Sequence, residues 1–225
     1  MHERTAVRSF VRRRGRLTAA QSRALRELWP RYGIEYVERR LDLDDVFGRR
    51  AERVLEIGFG NGESLVEQAA ADPRRDYLGI EVHEPGIGHC LLQAQSARIT
   101  NLRVIAHDAI DVLEQQIPDA SLSRINLYFP DPWPKKRHHK RRIVTPGFLR
   151  LAAAKLLPGG SLHVATDWAG YAESIDAIVA ASPDFTTSER REHSGERALD
   201  RPQTKFEKRG LGKGHRIWDW RLVRN

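Results

Sequence analysis

In Glu56-Ile57-Gly58-Phe59-Gly60-Asn61-Gly62, three alternate glycines follow a carboxylate at the end of a short apolar run, Arg53 to Ile57. Gly58, Gly60 and Gly62 leave no side chain where a backbone must turn sharply and approach a ligand. Spacing narrows the choice of ligand. A dinucleotide fingerprint requires G-x-G-x-x-G, but the third residue beyond Gly60 is Glu63, and no G-x-x-x-x-G-K-[ST] phosphate loop is present. A carboxylate at Glu56 opposes a pyrophosphate and favours a ligand carrying a sulfonium and an ammonium group. The turn therefore points to S-adenosylmethionine. Two further acids end the next apolar runs. Glu81 closes Tyr77 to Val82, where a carboxylate accepts ribose hydroxyls, and Asp108 follows Leu102 to Ala106, within reach of an adenine amino group. Either acid alone reads equally as a helix cap or a surface charge. Three acids ending three successive runs read as a cofactor site.

A second group of residues carries the chemistry. Tyr128-Phe129-Pro130-Asp131-Pro132-Trp133-Pro134 leads into six cations, Lys135, Lys136, Arg137, Lys140, Arg141 and Arg142. Prolines on both sides of Asp131 restrict the backbone and aim its carboxylate from a rigid loop. Trp133 offers a flat face to a base, a contact worth about 1–3 kcal/mol in single-stranded recognition. The plainer alternative is a stiffened loop with its indole packed inward.

The charge balance bears on the partner. Lys and Arg number 38 against 30 acids, a net charge of +8. Six of the cations are arginines between Met1 and Arg16, and six lie behind Trp133; 38 less these twelve leaves 26 against 30 acids. The basicity is thus local, as in patches that meet phosphates. His138 and His139 stand among the cations without companion ligands, which argues against a metal. The single Cys90 excludes an internal disulfide and fits a reducing cytoplasm. No apolar stretch reaches membrane-spanning length, and no secretory leader is expected. The arginine-rich start is short of the serines of a mitochondrial presequence and runs directly into a helical pattern.

Behind these residues stands an alternation of strands and helices. Strands are predicted at Arg53 to Ile57, Tyr77 to Val82, Leu102 to Ala106, Leu122 to Phe129 and Ser161 to Ala165. Between them come helices at 63–71, 85–98, 109–115 and from Thr145-Pro146 to the break at Pro158-Gly159-Gly160. A helix from Tyr171 to Ala181 follows. Thr18 to Tyr36 has helical character interrupted at Pro30, and a second short helical stretch is expected over Tyr36 to Phe47. Cys90 shares a face with Ile87, Leu91, Ala94 and Ala97 and reads as packing, not as a nucleophile. After Phe185 the pattern becomes polar until a last strand, Arg216 to Val223, expected at an antiparallel edge. Repeated β-α units imply a mainly parallel sheet covered on both faces, with ligands at the carboxyl ends of its strands.

The segments LEIGFGNGE (55–63), IEVHEPGI (80–87), FPDPWPKKRHHKRR (129–142), ATDW (165–168) and TKFE (204–207) resemble the bacterial tRNA (guanine-N7-)-methyltransferase family. The likeness runs from about Arg14 to the end of the chain, and its proline-framed segment is the most specific part. It implies a Rossmann-like class I S-adenosylmethionine-dependent methyltransferase with a seven-stranded, mainly parallel sheet and helices on both faces. A basic, partly disordered arm and helical segment (1–46) would precede a methyltransferase domain (47–225). By the same likeness the substrate is a guanine in the variable loop of tRNA, and the protein is a cytoplasmic monomer or homodimer. Glu56, Gly58, Gly60, Gly62, Glu81, Asp108 and Asp131 would hold the cofactor, with Asp131 the catalytic residue. Lys135, Asp167, Thr204, Lys205, Phe206 and Glu207 would bind substrate, and Lys136, Arg137, Lys140, Arg141 and Arg142 would contact RNA. Rival readings are a base methyltransferase acting on an exocyclic amino group and an inactive RNA-binding relative. A D/N-P-P-aromatic order, which the former uses, is not the order Asp131-Pro132-Trp133-Pro134.

Overall fold

A computed structural model describes residues 15–195 and 201–225. The expected disorder of the arm falls mostly on residues 1–14, outside the described residues. Helix α1 (Ala19–Glu27) starts at a capping box, with Thr18 accepting from the Gln21 amide and the Gln21 side chain accepting from the Thr18 amide. Pro30 then opens a separate turn, α2 (Trp29–Tyr32), a position where its missing N–H costs nothing.

The described strands form one eight-stranded sheet in the order β1-β4-β3-β2-β5-β6-β8-β7. They are β1 (Gly33–Ile34), β2 (Arg53–Ile57), β3 (Asp76–Ile80), β4 (Leu102–Ile105), β5 (Leu122–Tyr128), β6 (Leu156–Thr166), β7 (Phe185–His193) and β8 (Ile217–Arg224). All neighbours from β1 to β6 are parallel, and β8 pairs antiparallel with both β6 and β7. Two expectations need correction. The sheet has eight strands rather than seven, because the short β1 adds to β4. The last strand is also not at the edge: β7 holds that place, and β8 fills the gap between β6 and β7. Strand β7 escaped notice because an outermost strand has few buried side chains; only Phe185 is buried in it.

Helices α4 (Glu63–Ala71) and α5 (Glu84–Ser96) cover one face with α1, around Leu65, Tyr77, Ile87, Cys90 and Leu91. Burial pushes the Cys90 thiol up, which keeps it protonated and inert. The opposite face is covered by α3 (Leu43–Phe47), α6 (Ala109–Asp111), a π-turn (Val112–Gln116), α7 (Pro146–Lys155) and α8 (Ala169–Ala180). Thr145 caps α7 at the Phe148 amide, as its pairing with Pro146 predicts.

The chain runs outward from β2 to β3 and β4, then crosses back to β5 on the other side of β2. Strands β2 and β5 therefore flank the topological switch point, where such sheets open a crevice at their carboxyl ends. The glycine turn leaves β2 there, and the proline-framed loop leaves β5.

Candidate active site

Both loops line one cleft. A cleft open to solvent is bounded by Gly58 and Gly60 after β2, Glu81 and Val82 after β3, His107 and Ala109 after β4, and Phe129, Pro130 and Asp131 after β5. A second cavity adjoins it at Gly58, Gly60, Tyr128 and Phe206 and reaches Glu56, Ser64, His83 and Thr204. Together they form an elongated trough. The exposed Phe206 ring stands on helix α9 (Lys205–Leu211) and borders both parts.

The glycines of the turn differ in their reasons. Gly58 has φ +68° and an added Cβ there would meet nothing, so its glycine is required by backbone shape. At Gly62 (φ +84°) a Cβ would come within 2.5 Å of the Cys90 side chain, so that glycine lets α4 and α5 close on each other. Glu81 holds the turn from β3: one carboxylate oxygen accepts from the Gly60 amide at 2.8 Å, and the other from Val82 and His83 at 2.7 and 3.0 Å.

Glu56 is buried and accepts from Gln68 Nε2 at 3.0 Å and from the Ser64 hydroxyl at 3.4 Å. Burial raises its carboxyl to about 8 against the lowering effect of these bonds. A proton thus sits on Glu56 at neutral pH, and the stability this group adds is full below about 4.5 and lost as pH rises through 8. A ligand ammonium placed against it would expel that proton. Calorimetric titration with S-adenosylmethionine at pH 7, in buffers of unequal ionisation heat, is expected to show proton release that Glu56→Gln abolishes. Equal release from both proteins would remove Glu56 from the ammonium site.

Asp108, expected near the adenine amino group, is buried and caps α6 by accepting from the Ile110 amide at 2.8 Å. Its neighbours His107 and Ala109 line the cleft instead. Asp131 is exposed in the cleft mouth. Phe129 and Trp133, on either side of it, both hold left-handed backbone, φ +52° and +45°, which is strained for bulky residues. This strain, with Pro130, Pro132 and Pro134, fixes the direction of the carboxylate.

Behind the loop, Lys136–Arg141 form a 3-10 helix. Lys136, Arg137 and Lys140 are exposed on it and Lys135 just before it, and Arg141 lies 5.1 Å over the Trp133 ring while His138 meets the ring edge-on. Arg142 corrects an expectation. It is buried, donates to the Pro132 and Gly170 carbonyls at 2.9 and 3.1 Å, and lies 4.7 Å over Tyr171. It fastens the loop to α8 and is not placed to touch RNA.

The TKFE residues divide similarly. Thr204 caps α9 by accepting from the Glu207 amide, Lys205 and Phe206 are exposed toward the trough, and Glu207 is buried against Arg201 at 2.5 Å. Arg201 also pairs with Asp219 of β8 through Nε at 2.8 Å and Nη2 at 3.1 Å, beneath the rings of Tyr128 and Phe129. His163 completes the network, donating from Nε2 to Asp219 at 3.0 Å and accepting the Tyr128 hydroxyl at Nδ1. Sequence reading missed these groups; the one available signal was the acid in the otherwise apolar stretch Ile217-Trp218-Asp219-Trp220. Asp167 is not in the trough. It accepts from His215 Nδ1 at 3.1 Å and lines a neighbouring surface depression with Trp168 and Trp218.

Comparisons with known proteins fit this geometry. A family model described as "Putative methyltransferase" matches residues 50–220. A tRNA (guanine-N(7)-)-methyltransferase of Alkalilimnicola ehrlichii is 58% identical over 95% of this chain and 90% of its own, and one of Halorhodospira halophila is 55% identical over 97% and 95%. This chain belongs to the tRNA (guanine-N(7)-)-methyltransferase family. The solved 16S rRNA methyltransferase KamB covers 82% of the chain and 93% of its own at a TM-score of 0.60, and TrmN from Thermus thermophilus covers 81% and 47% at 0.57. At 15% and 20% identity they support the shared methyltransferase fold alone. Within this family fold, no described helix is long and apolar enough to cross a membrane, and no described cluster of three His, Cys, Asp or Glu suits a metal ion.

Proposed function

We propose that this protein transfers a methyl group from S-adenosylmethionine to N7 of a guanine in tRNA, with Asp131 at the reacting end of the trough. The observation that carries the reading is the position of Asp131: it shares one cleft with Gly58, Gly60 and Glu81, directly ahead of an exposed cationic helix. S-adenosylmethionine supplies an electrophilic methyl on a sulfonium. Guanine N7 has an exposed lone pair, so no side chain need act as a strong base. Positive charge passes onto the purine as the bond forms, and the Asp131 carboxylate stabilises it from a fixed direction. Glu81 fits the ribose hydroxyls, Glu56 the ammonium, and the exposed Lys205 and Phe206 the incoming nucleotide. Asp167 and Lys135 lie where more of the RNA passes. The cytoplasm, where tRNA resides, is the compartment this reading requires.

The direct test is incubation of unmodified tRNA with a labelled methyl donor, followed by mapping of the product. N7-methylguanosine in the variable loop is expected; an N-methylated exocyclic amine would overturn the assignment.

The cationic helix has its own measurable consequence. Each phosphate neutralised by a cation steepens the dependence of log affinity on log salt by about 0.7–0.9. Replacing Lys136, Arg137, Lys140 and Arg141 by Ala should flatten that slope for tRNA by about two units or more. Arg142 is left out because its loss would loosen the loop. An unchanged slope would make the run a solubilising surface only.

A further inference from the structure

The cleft has a wall that neither the glycine turn nor the acids account for. His107 lines it just beyond β4, the strand after the one that carries Glu81. With Glu81 assigned to the ribose and Asp108, the residue after His107, to the adenine amino group, the purine of the cofactor would lie against this wall. The His107 ring is stacked on Tyr36 with centroids 3.7 Å apart and planes 6° from parallel. Its Nε2 also meets Asp111 Oδ2 at 3.2 Å. A stack and a polar contact fix both the tilt and the rotation of the ring. Such fixing prepares a flat surface before any ligand arrives, so less side-chain freedom is lost on binding.

Tyr36 comes from the segment that precedes the residues matched by the family model. That segment is sewn to the sheet at several points. β1 pairs with Val104 and Ile105 of β4. The Leu41 amide donates to the Gln116 carbonyl at 2.9 Å, and Gln116 Nε2 donates back to the Glu35 carbonyl at 2.8 Å. Arg40 donates to the Ile117 carbonyl at 2.8 Å, just past the π-turn, whose wide helical geometry leaves carbonyls without helical partners. The position of Tyr36 is therefore built, not incidental.

We propose that His107 is a cofactor-binding residue that packs against the adenine ring, and that Tyr36 is its positioning residue, so that the N-terminal segment completes the cofactor pocket. This rests on the trough being the S-adenosylmethionine site. It follows that removing residues 1–46 would impair cofactor binding as well as any RNA contact.

Calorimetric titration with S-adenosylhomocysteine and with 5′-methylthioadenosine, which lacks the amino-acid end, tests the proposal. His107→Ala is expected to weaken both ligands by about tenfold, the scale of one lost base-stacking contact. His107→Phe, which keeps a flat ring, should bind within about threefold of the parent protein if stacking is the role. Tyr36→Ala should show a smaller loss for both ligands, and Tyr36→Phe none. Parental affinity in His107→Ala would overturn the proposal. So would His107→Phe as weak as His107→Ala, because the ring would then serve folding alone. Failure of the parent protein to bind S-adenosylhomocysteine would instead overturn the cofactor reading, a result distinct from either.

Discussion

Asp131→Asn slows single-turnover methyl transfer by about a hundredfold or more while leaving S-adenosylhomocysteine affinity within about threefold, the pattern expected when a charge acts on the transition state and little on the ground state. Asparagine keeps the shape of the side chain and removes only its charge. Because Asp131 is exposed, folding gives the variant no reason to fail. Its direction is set by the chain on either side, where Phe129 and Trp133 hold left-handed backbone. That strain gives a second reading of the same site: a Trp133→Gly variant relaxes the loop, and its rate should fall although the carboxylate is still present. Rapid-quench measurement with saturating enzyme isolates the chemical step. An Asp131→Asn rate equal to that of the parent would remove Asp131 from the mechanism.

The largest expected loss of stability comes from Arg201→Ala. Arg201 is buried between Asp219 and Glu207, and its removal strands two carboxylates away from water. Breaking a buried pair in this way costs about 3–5 kcal/mol, much of a typical domain's stability. Urea unfolding would report it as a lower midpoint with an unchanged slope. A variant as stable as the parent would show that water or rearrangement replaces the guanidinium.

The same network predicts an acid dependence. Burial alone would raise the Asp219 carboxyl, but hydrogen bonds from His163 and Arg201 and the Arg201 charge outweigh it and hold the group below the usual carboxylate range. Burial lowers His163 against the pull of Asp219, so the imidazole is neutral in the fold. For each group the unfolded chain binds the proton more readily, so stability is complete above the ordinary value, near 6.5 for His163 and 3.8 for Asp219, and declines as pH falls below it. Arg201→Ala should make the lower stage shallower by taking away part of what depresses Asp219, the His163 hydrogen bond remaining.

The parts of this site that were legible in sequence are those whose cause is local. Strands β2 to β6 and their helices show in the spacing of apolar residues, and the turn after β2 in its glycines. Thr145 and Pro146 mark the start of α7 by the same kind of neighbour relation. Asp131 was evident because its prolines sit beside it. What depends on partners distant in sequence was not legible. Arg142 resembles the five cations that precede it until Gly170 and Tyr171 fold against it. Glu207 belongs to a distinctive motif, yet its burial follows from Arg201 and Asp219, which nothing in the motif announces. His107 and Tyr36 lie far apart in the chain, and only β1 beside β4 brings their rings together.

Strand β8 lies between β6 and β7 although it is made after both. On the ribosome, then, β7 emerges before the only described strand it pairs with, and it must wait in water with its backbone unmatched. An apolar strand in that position would invite pairing with another nascent chain. The run Thr186-Thr187-Ser188-Glu189-Arg190-Arg191-Glu192 suits the wait, because it is soluble on both faces. When β8 arrives it brings Asp219 into place, so the order of synthesis makes closing the sheet and assembling the buried charges a single late event.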